Sequence, residues 1–274
     1  MSWDPSDSYL LIGTMAGTLY RLNSPADQSS EPIEILNIQN TIVCLSWRGW
    51  KLALGNTLGE LKVYDMAQGS PIEIFAILAH APSETAPDQS FGSLTLYSEV
   101  WTLCWSPSGR ERIATGSEDQ TVVVWDLETG QKVVTLPKHR NAVTGVAWKE
   151  VNAEAWPGLS ELLVSCSDDQ QLRVYDPATW TLLHTFRTTF ICEWHTLTYL
   201  ALEEGGTRVA VVSQNGYLFL YEIPTKRCLF GEKVHSGSVE GLVWVGTKAA
   251  TVSSDCSVSL VTLSHSIGGP DYRL

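Results

Sequence analysis

The sequence has no cluster of lysines and arginines. Its 18 basic residues are scattered among 30 acidic ones, for a formal net charge of −12. A protein that grips nucleic acid directly needs a basic patch to displace phosphate counterions, so direct nucleic-acid binding is not expected. The acidic balance reads as a solvated surface that aids solubility. A Cys-x-x-Cys pair is also missing. The six cysteines, Cys44, Cys104, Cys166, Cys192, Cys228 and Cys256, stand singly. They read as small apolar side chains in a reducing compartment, not as metal ligands or disulfides. The start, Met1-Ser2-Trp3-Asp4-Pro5, has no basic region and no apolar stretch, and no membrane span is visible further on. A cytoplasmic or nuclear protein is therefore expected. Catalytic signatures are absent too: no nucleophile–base pair, metal-ligand spacing or phosphate-cradling loop stands out. Gly13 to Gly17 resembles a glycine turn, but Thr18–Asn23 continues it as a strand where a nucleotide loop needs a helix. Neither a cofactor nor a small-molecule substrate is expected.

What the chain does have is a unit repeated about six times. The clearest copy runs Val100-Trp101-Thr102-Leu103-Cys104-Trp105, then Ile113-Ala114-Thr115-Gly116-Ser117-Glu118-Asp119, then Val122-Val123-Val124-Trp125-Asp126. The first strand of each copy ends on an aromatic: Trp3, Trp47, Trp105, Trp148, Tyr199 and Trp244. The steps are 44, 43 and 45 residues, with two longer ones of 58 and 51 that contain insertions. That period is the length of one four-stranded propeller blade. Second strands are expected at Tyr9–Gly13, Leu52–Gly55, Arg112–Ser117, Leu162–Ser167, Arg208–Ser213 and Ala249–Ser253. Third strands follow at Thr18–Asn23, Glu60–Asp65, Val122–Asp126, Leu172–Asp176, Tyr217–Glu222 and Val258–Thr262. The turns between them are tight and rich in Gly, Asn, Asp and Gln, as two-residue hairpins demand. Shorter fourth strands are expected at Ile33–Leu36, Ile72–Ala76, Val133–Leu136, Leu182–Phe186 and Cys228–Gly231. No helical period appears outside short loops.

This pattern resembles the WD-repeat β-propeller family over essentially the whole chain. The naming dipeptide stands as Trp125-Asp126, with Tyr64-Asp65, Tyr175-Asp176 and Tyr221-Glu222 as near matches. The family's Gly-His before the first strand survives only as His80, His139 and His235. The resemblance implies a structural network joining a loop His, a second-strand Ser or Thr, a turn Asp and a third-strand Trp. Thr115, Asp119 and Trp125 fit it in the third copy. His139, Ser165 and Asp169 fit it in the fourth, with Tyr175 replacing the Trp. His235, Thr251 and Asp255 fit it in the sixth, with Val261 at the Trp position. The first two copies lack the Asp, having Ala16 and Leu58 there. The histidines and aspartates recur with the blades, as a packing network does and a single active site does not.

The expected architecture is all-β, one propeller domain over residues 1–263 with a tail at 264–274. About six blades are visible, as in a seven-bladed member lacking N-terminal material, the alternative being a six-bladed ring closed loosely. The last copy lacks an outer strand and the first has a shortened inner one. A gap or a strained closure is the expectation.

Repeats of this kind serve as binding platforms, so the leading expectation is a non-catalytic scaffold or adaptor. It would bind partner proteins within a complex through one face, formed by the fourth-to-first and second-to-third connections, and through long loops. The longest insertions run 78–98, 149–161 and 23–31. Trp50, Trp101, Trp156, Trp180 and Trp194 do not match the repeat's aromatic slots. Trp101 and Trp194 begin first strands beside that face and are candidate anchors for a partner peptide. Arg140 and Arg187 flank the same face and suit an acidic or phosphorylated partner. Glu240 and Trp156 complete the candidate partner-binding set. An alternative is a substrate receptor of a ubiquitin ligase. That family carries Arg two residues after Trp-Asp, where Glu128 and Ala178 stand here. A propeller enzyme is a further alternative. It needs polar groups converging on the inner strands, whose first halves are largely apolar or small.

Overall fold

The computed structural model describes residues 2–3, 9–23, 31–68, 70–80, 98–107, 109–188 and 197–262. Every regular element among them is a strand, and the strands form six antiparallel sheets. The first sheet comprises β1 (Ser2–Trp3), β2 (Tyr9–Gly13), β3 (Thr18–Asn23) and β4 (Ile33–Asn37). The second holds β5 (Ile42–Arg48), β6 (Lys51–Asn56), β7 (Glu60–Asp65) and β8 (Ile72–Leu78). The third holds β9 (Val100–Trp105), β10 (Arg112–Ser117), β11 (Val122–Asp126) and β12 (Gln131–Thr135). Then come β13 (Val143–Glu150), β14 (Glu161–Ser167), β15 (Gln171–Asp176) and β16 (Thr181–Arg187) in the fourth sheet. The fifth contains β17 (Leu197–Leu202), β18 (Arg208–Ser213), β19 (Tyr217–Glu222) and β20 (Arg227–Lys233). The sixth has three strands, β21 (Val239–Val245), β22 (Lys248–Ser253) and β23 (Val258–Thr262). Each sheet is a meander in chain order. No helix among the described residues is long and apolar enough to cross a membrane.

The chain divides into two compact units. One contains residues 1–106 and 110–138, with the first three sheets; the other contains 107–109 and 139–274, with the last three. In the first unit, Leu11 and Leu19 pack with Leu52, Leu54 and Tyr64, so the second sheet covers the first. Its other face meets the third sheet, where Ala53, Leu61 and Val63 join Leu103, Trp105, Ile113 and Trp125. The second unit repeats the arrangement. Leu162, Val164 and Phe186 of the fourth sheet pack on Val209, Val211, Phe219 and Tyr221 of the fifth. Ala210, Val212, Leu218 and Leu220, on the fifth sheet's other face, pack with Val239, Leu242, Trp244 and Val261 of the sixth. Sheets covered on both faces explain the unbroken apolar runs, such as the buried Val-Val-Val-Trp of β11.

The register corrects one aromatic slot. Trp105, Trp148 and Trp244 pair with Ile113, Leu163 and Ala249. The equivalent partner in the fifth sheet is Val209, and it pairs with Leu202, not Tyr199. Leu202 is 5% exposed and Tyr199 41%. Tyr199 matches the length of the repeat, but Leu202 occupies the buried site. The cysteines need a correction too: Cys256 is exposed, in a turn with φ 64°, while Cys166 is buried in β14. Of the insertions, residues 24–30 and 81–97 lie outside the described residues, as do the tail from 263 onward and Cys192.

Candidate functional site

In each unit the second-to-third turns and the fourth-to-first connections lie together, because the turn glycines touch the connections directly. Gly59 (φ +81°) and Gly216 (φ +86°) sit so close to the carbonyl oxygens of His80 and His235 that a Cβ would collide with them. The same glycines accept both backbone bonds that hold the connections, at 2.9 and 3.1 Å from Ala79 and His80 to Gly59, and likewise from Val234 and His235 to Gly216.

From those anchor points the histidines reach into the following sheet. His80 Nδ1 is 2.8 Å from Asp119 Oδ2, and its Nε2 is 2.8 Å from Thr115 Oγ1. His80 therefore completes the group to which the sequence assigned Thr115 and Asp119. The Trp125 indole does not join it: its N–H has no hydrogen-bond partner, and the ring lies in the apolar core of the first unit. Thr121 Oγ1 takes part instead, 2.7 Å from Asp119 Oδ1.

In the second unit, His139 Nδ1 lies 3.0 Å from Asp169 Oδ2 and Nε2 lies 2.9 Å from Ser165 Oγ. Burial depresses the His139 pKa and outweighs the opposing pull of Asp169. A neutral ring then donates from Nδ1 to the carboxylate and accepts from Ser165 at Nε2. Burial pushes the Asp169 pKa up, but the bonds from His139 and the backbone N–H groups of Arg140 and Gln171 hold it below the usual value. Asp119 is lowered in the same way, by His80 and Thr121 against burial. Around His235, Nε2 is 2.8 Å from Thr251 Oγ1, and Nδ1 is 2.8 Å from Ser257 Oγ, which itself lies 2.6 Å from Asp255 Oδ1. Bonds from Ser257, then Ser236, lower the Asp255 pKa.

The rim also carries a recurring irregularity that the sequence reading missed. In the second to sixth sheets the register slips by one residue where the inner strand begins: between Ile42 and Cys44, Val143 and Gly145, Leu197 and Tyr199, and Val239 and Gly241. In the third sheet, Ser117 pairs with Val100 and Gly116 with Thr102. The skipped residues are Val43, Trp101, Thr144, Thr198 and Glu240. A bulge re-aims the side chain it carries, and two of these, Trp101 and Glu240, are candidate partner-binding residues. Trp101 is 42% exposed, and its indole N–H donates to Glu118 Oε2 at 2.8 Å. Burial, then the charge of Glu118, raises the pKa of neighbouring Glu99. Arg140 is exposed, and its backbone N–H donates to Asp169 Oδ2 at 3.0 Å. Arg187 is exposed at the end of β16, opposite Gln171.

Trp156 is not brought to this rim. It follows the far end of β13, its indole N–H donates to the Gly206 carbonyl at 3.0 Å, and its ring packs on the apolar core of the second unit. Trp194 lies outside the described residues. Among the described residues no cluster of His, Cys, Asp and Glu has the arrangement of a metal site.

Residues 1–193 match the family model described as Nucleolar protein 10-like, N-terminal domain, a β-propeller. The chain belongs to this family. It is also similar to curated WD-repeat proteins. It is 30% identical over 172 residues to WD repeat-containing protein 74 of Homo sapiens, covering 60% of this chain and 42% of that protein. It is 33% identical over 81 residues to a component of chromatin assembly factor 1 of Gallus gallus, covering 30% and 13%. A longer match joins it to the periodic tryptophan protein 2 homolog of Dictyostelium discoideum, 23% identical over 215 residues, 68% of this chain and 22% of that one. The chain thus spans less than half the length of these relatives. Among solved structures, a chain of the mitotic checkpoint complex superposes with a TM-score of 0.75 at 19% identity, over 96% of this chain and 75% of that one. At that identity the likeness is one of fold.

Proposed function

We propose that this WD-repeat protein is a non-catalytic scaffold that binds partner polypeptides at the rim of each unit, carrying Trp101 in the first and Arg140, Arg187 and Glu240 in the second. The observation that carries the reading is the bulge at Trp101. It leaves a large aromatic ring half open to solvent, tethered through its indole N–H to Glu118, with Glu99 beside it. An open aromatic face flanked by carboxylates suits a peptide segment bearing lysine or arginine, by cation–π contact and charge pairing. In the second unit, Arg140 and Arg187 suit an acidic or phosphorylated stretch.

The single propeller domain expected over residues 1–263 belongs to this reading, as does nuclear, nucleolar residence. Supporting them are the name of the matched family and the relative named for chromatin assembly. The other relatives are named as WD-repeat and periodic tryptophan proteins, without an activity in the name. The test is affinity purification with quantitative mass spectrometry, comparing the native chain with Trp101→Ala and Glu118→Gln. Loss of a shared set of partners from both variants, with unchanged melting, supports the rim. Identical partner sets remove it. Turnover of a substrate by the pure protein overturns the scaffold reading.

A further inference from the structure

We propose that a cavity on the rim of the second unit binds a phosphate monoester. The cavity has a volume of about 430 Å³. On one side lies the second-to-third turn of the fifth sheet, with Gln214, Asn215 and Tyr217. On the other lies the connection that leaves β20, with Lys233, Gly237 and Ser238. The site does not rest on the scaffold reading, since a small phosphate ester fills it as well as a phosphorylated segment does.

The first observation is the charge of the lining. The chain carries 30 acidic residues against 18 basic ones, yet Lys233 lines this cavity and no carboxylate does. The turn accounts for the exception. Equivalent turns close through the same backbone bond, from Gln120 to Ser117, Gln170 to Ser167, Gly216 to Ser213 and Cys256 to Ser253. The two residues enclosed are Glu118-Asp119, Asp168-Asp169, Gln214-Asn215 and Ser254-Asp255. Of these four turns, only that of the fifth sheet carries amides in place of acids. Lys233 stands opposite Tyr217 and forms no ion pair among the described residues. Asp255, across the connection, already accepts the Ser236 N–H at 2.8 Å and the hydroxyls of Ser236 and Ser257.

The second observation is a pair of open backbone donors. Before β13, Asn141 Oδ1 accepts the N–H of Ala142 at 3.0 Å. Counting from His139 and His235, the equivalent residues before β21 are Gly237 and Ser238. The intervening Arg140 and Ser236 share a role, each giving its N–H to the turn Asp, at 3.0 and 2.8 Å. Glycine has no side chain to cap the next N–H. The N–H groups of Gly237 and Ser238, and the Ser238 hydroxyl, therefore have no hydrogen-bond partner among the described residues. Nor is there room for a cap: a Cβ at Gly237 would lie 2.7 Å from Ser254 Oγ and 3.0 Å from the Asp255 nitrogen. Successive open N–H groups beside a cation make a concavity for an anion.

The donors and the wall select the anion. Lys233, Gln214, Gly237 and Ser238 together offer more hydrogens than the two oxygens of a carboxylate accept, and the three oxygens of a phosphate monoester match them. The ring of Tyr217, stacked on Phe219 with planes 11° apart, gives an apolar wall for the carbon group that carries the ester. The net charge of −12 repels a dianion at long range, so affinity comes from these short bonds and not from steering.

The experiment titrates glycerol phosphate and a phosphoserine peptide into the full chain, read by calorimetry and by the NMR shifts of the Gly237 and Ser238 amides. The expected result is saturable binding that moves both amides. Lys233→Gln weakens it about tenfold, the loss of one charge-assisted hydrogen bond. Gln214→Glu, which restores the acid that Glu118 supplies in the third sheet, weakens it more than Gln214→Ala does. Both side chains are exposed, so the melting temperature stays unchanged. Glycerol phosphate binding as tightly as the peptide assigns the site to a small ester, and a much tighter peptide assigns it to a modified polypeptide; either supports the proposal. Three outcomes overturn it: no saturable binding of either probe, or binding that leaves the two amides unmoved; binding indifferent to Lys233→Gln or to Gln214→Glu; and a glutamate peptide that binds as tightly as the phosphoserine one. None of these touches the scaffold reading, whose test is the partner set of Trp101→Ala.

Discussion

The histidine groups make stability depend on pH at single residues, and the sign follows from the shifts. His139 has a folded pKa below its ordinary 6.5, so the unfolded chain takes up the proton first. Its contribution is complete above pH 6.5 and is lost as pH falls below that value. Asp119 and Asp169, also depressed, add a second loss as pH falls below their ordinary 3.8. The expected outcome is a melting temperature that drops in two stages on acidification, with the first stage missing in His139→Gln. A melt series from pH 8 to 3 checks it, and a protein that gains stability between pH 7 and 5 contradicts it. Gly216 acts through the backbone. At φ +86° and against the His235 carbonyl, an added methyl has neither room nor a permitted conformation. Gly216→Ala is expected to lose more than about 1 kcal/mol in denaturant unfolding. The neutral outcome would mean the connection gives way freely.

At the scale of elements, the fifth inner strand separates repeat length from burial. Leu202 stands where other sheets carry Trp, so Leu202→Ala should cost about 2–5 kcal/mol. Tyr199→Ala, with its ring half in water, should cost about 1 kcal/mol or less. Equal losses would restore Tyr199 to the slot. The six-fold strand order, most strand limits and the His–Asp spacing were legible in the sequence, because alternation and tight turns are local signals. Two things were not. A leucine in an aromatic slot leaves no mark that periodicity can find, since the register depends on the partner strand. The inner-strand bulges are equally silent, although Gly145 and Gly241 just after the skipped residue are the signal that was available. Of the candidate site, Trp101 was legible as a tryptophan outside the repeat's aromatic slots, and the separate bulges that carry Trp101 and Glu240 were not. Trp156 misled because an unmatched tryptophan reads alike whether it caps a core or meets a partner.

For the whole molecule, the net charge of −12 bears on association more than on folding. A basic peptide that binds beside Trp101 should associate more slowly as salt rises from about 0.05 to 0.5 M, because the screening length then contracts to a few ångströms. Stopped-flow association rates measure this. A rate at the rim that ignores salt would remove the carboxylates from its recognition.

The slipped register at the head of the inner strands of the second to sixth sheets also has an evolutionary meaning. Positions 101 and 240, both exposed, stand outside the alternation that decides what must be buried. Folding therefore exerts little selection on them, and descendants of one ancestral gene can rewrite these letters independently while the rest of the text is held constant. A library randomised at those two codons should yield variants that share a thermal midpoint and differ in what they capture.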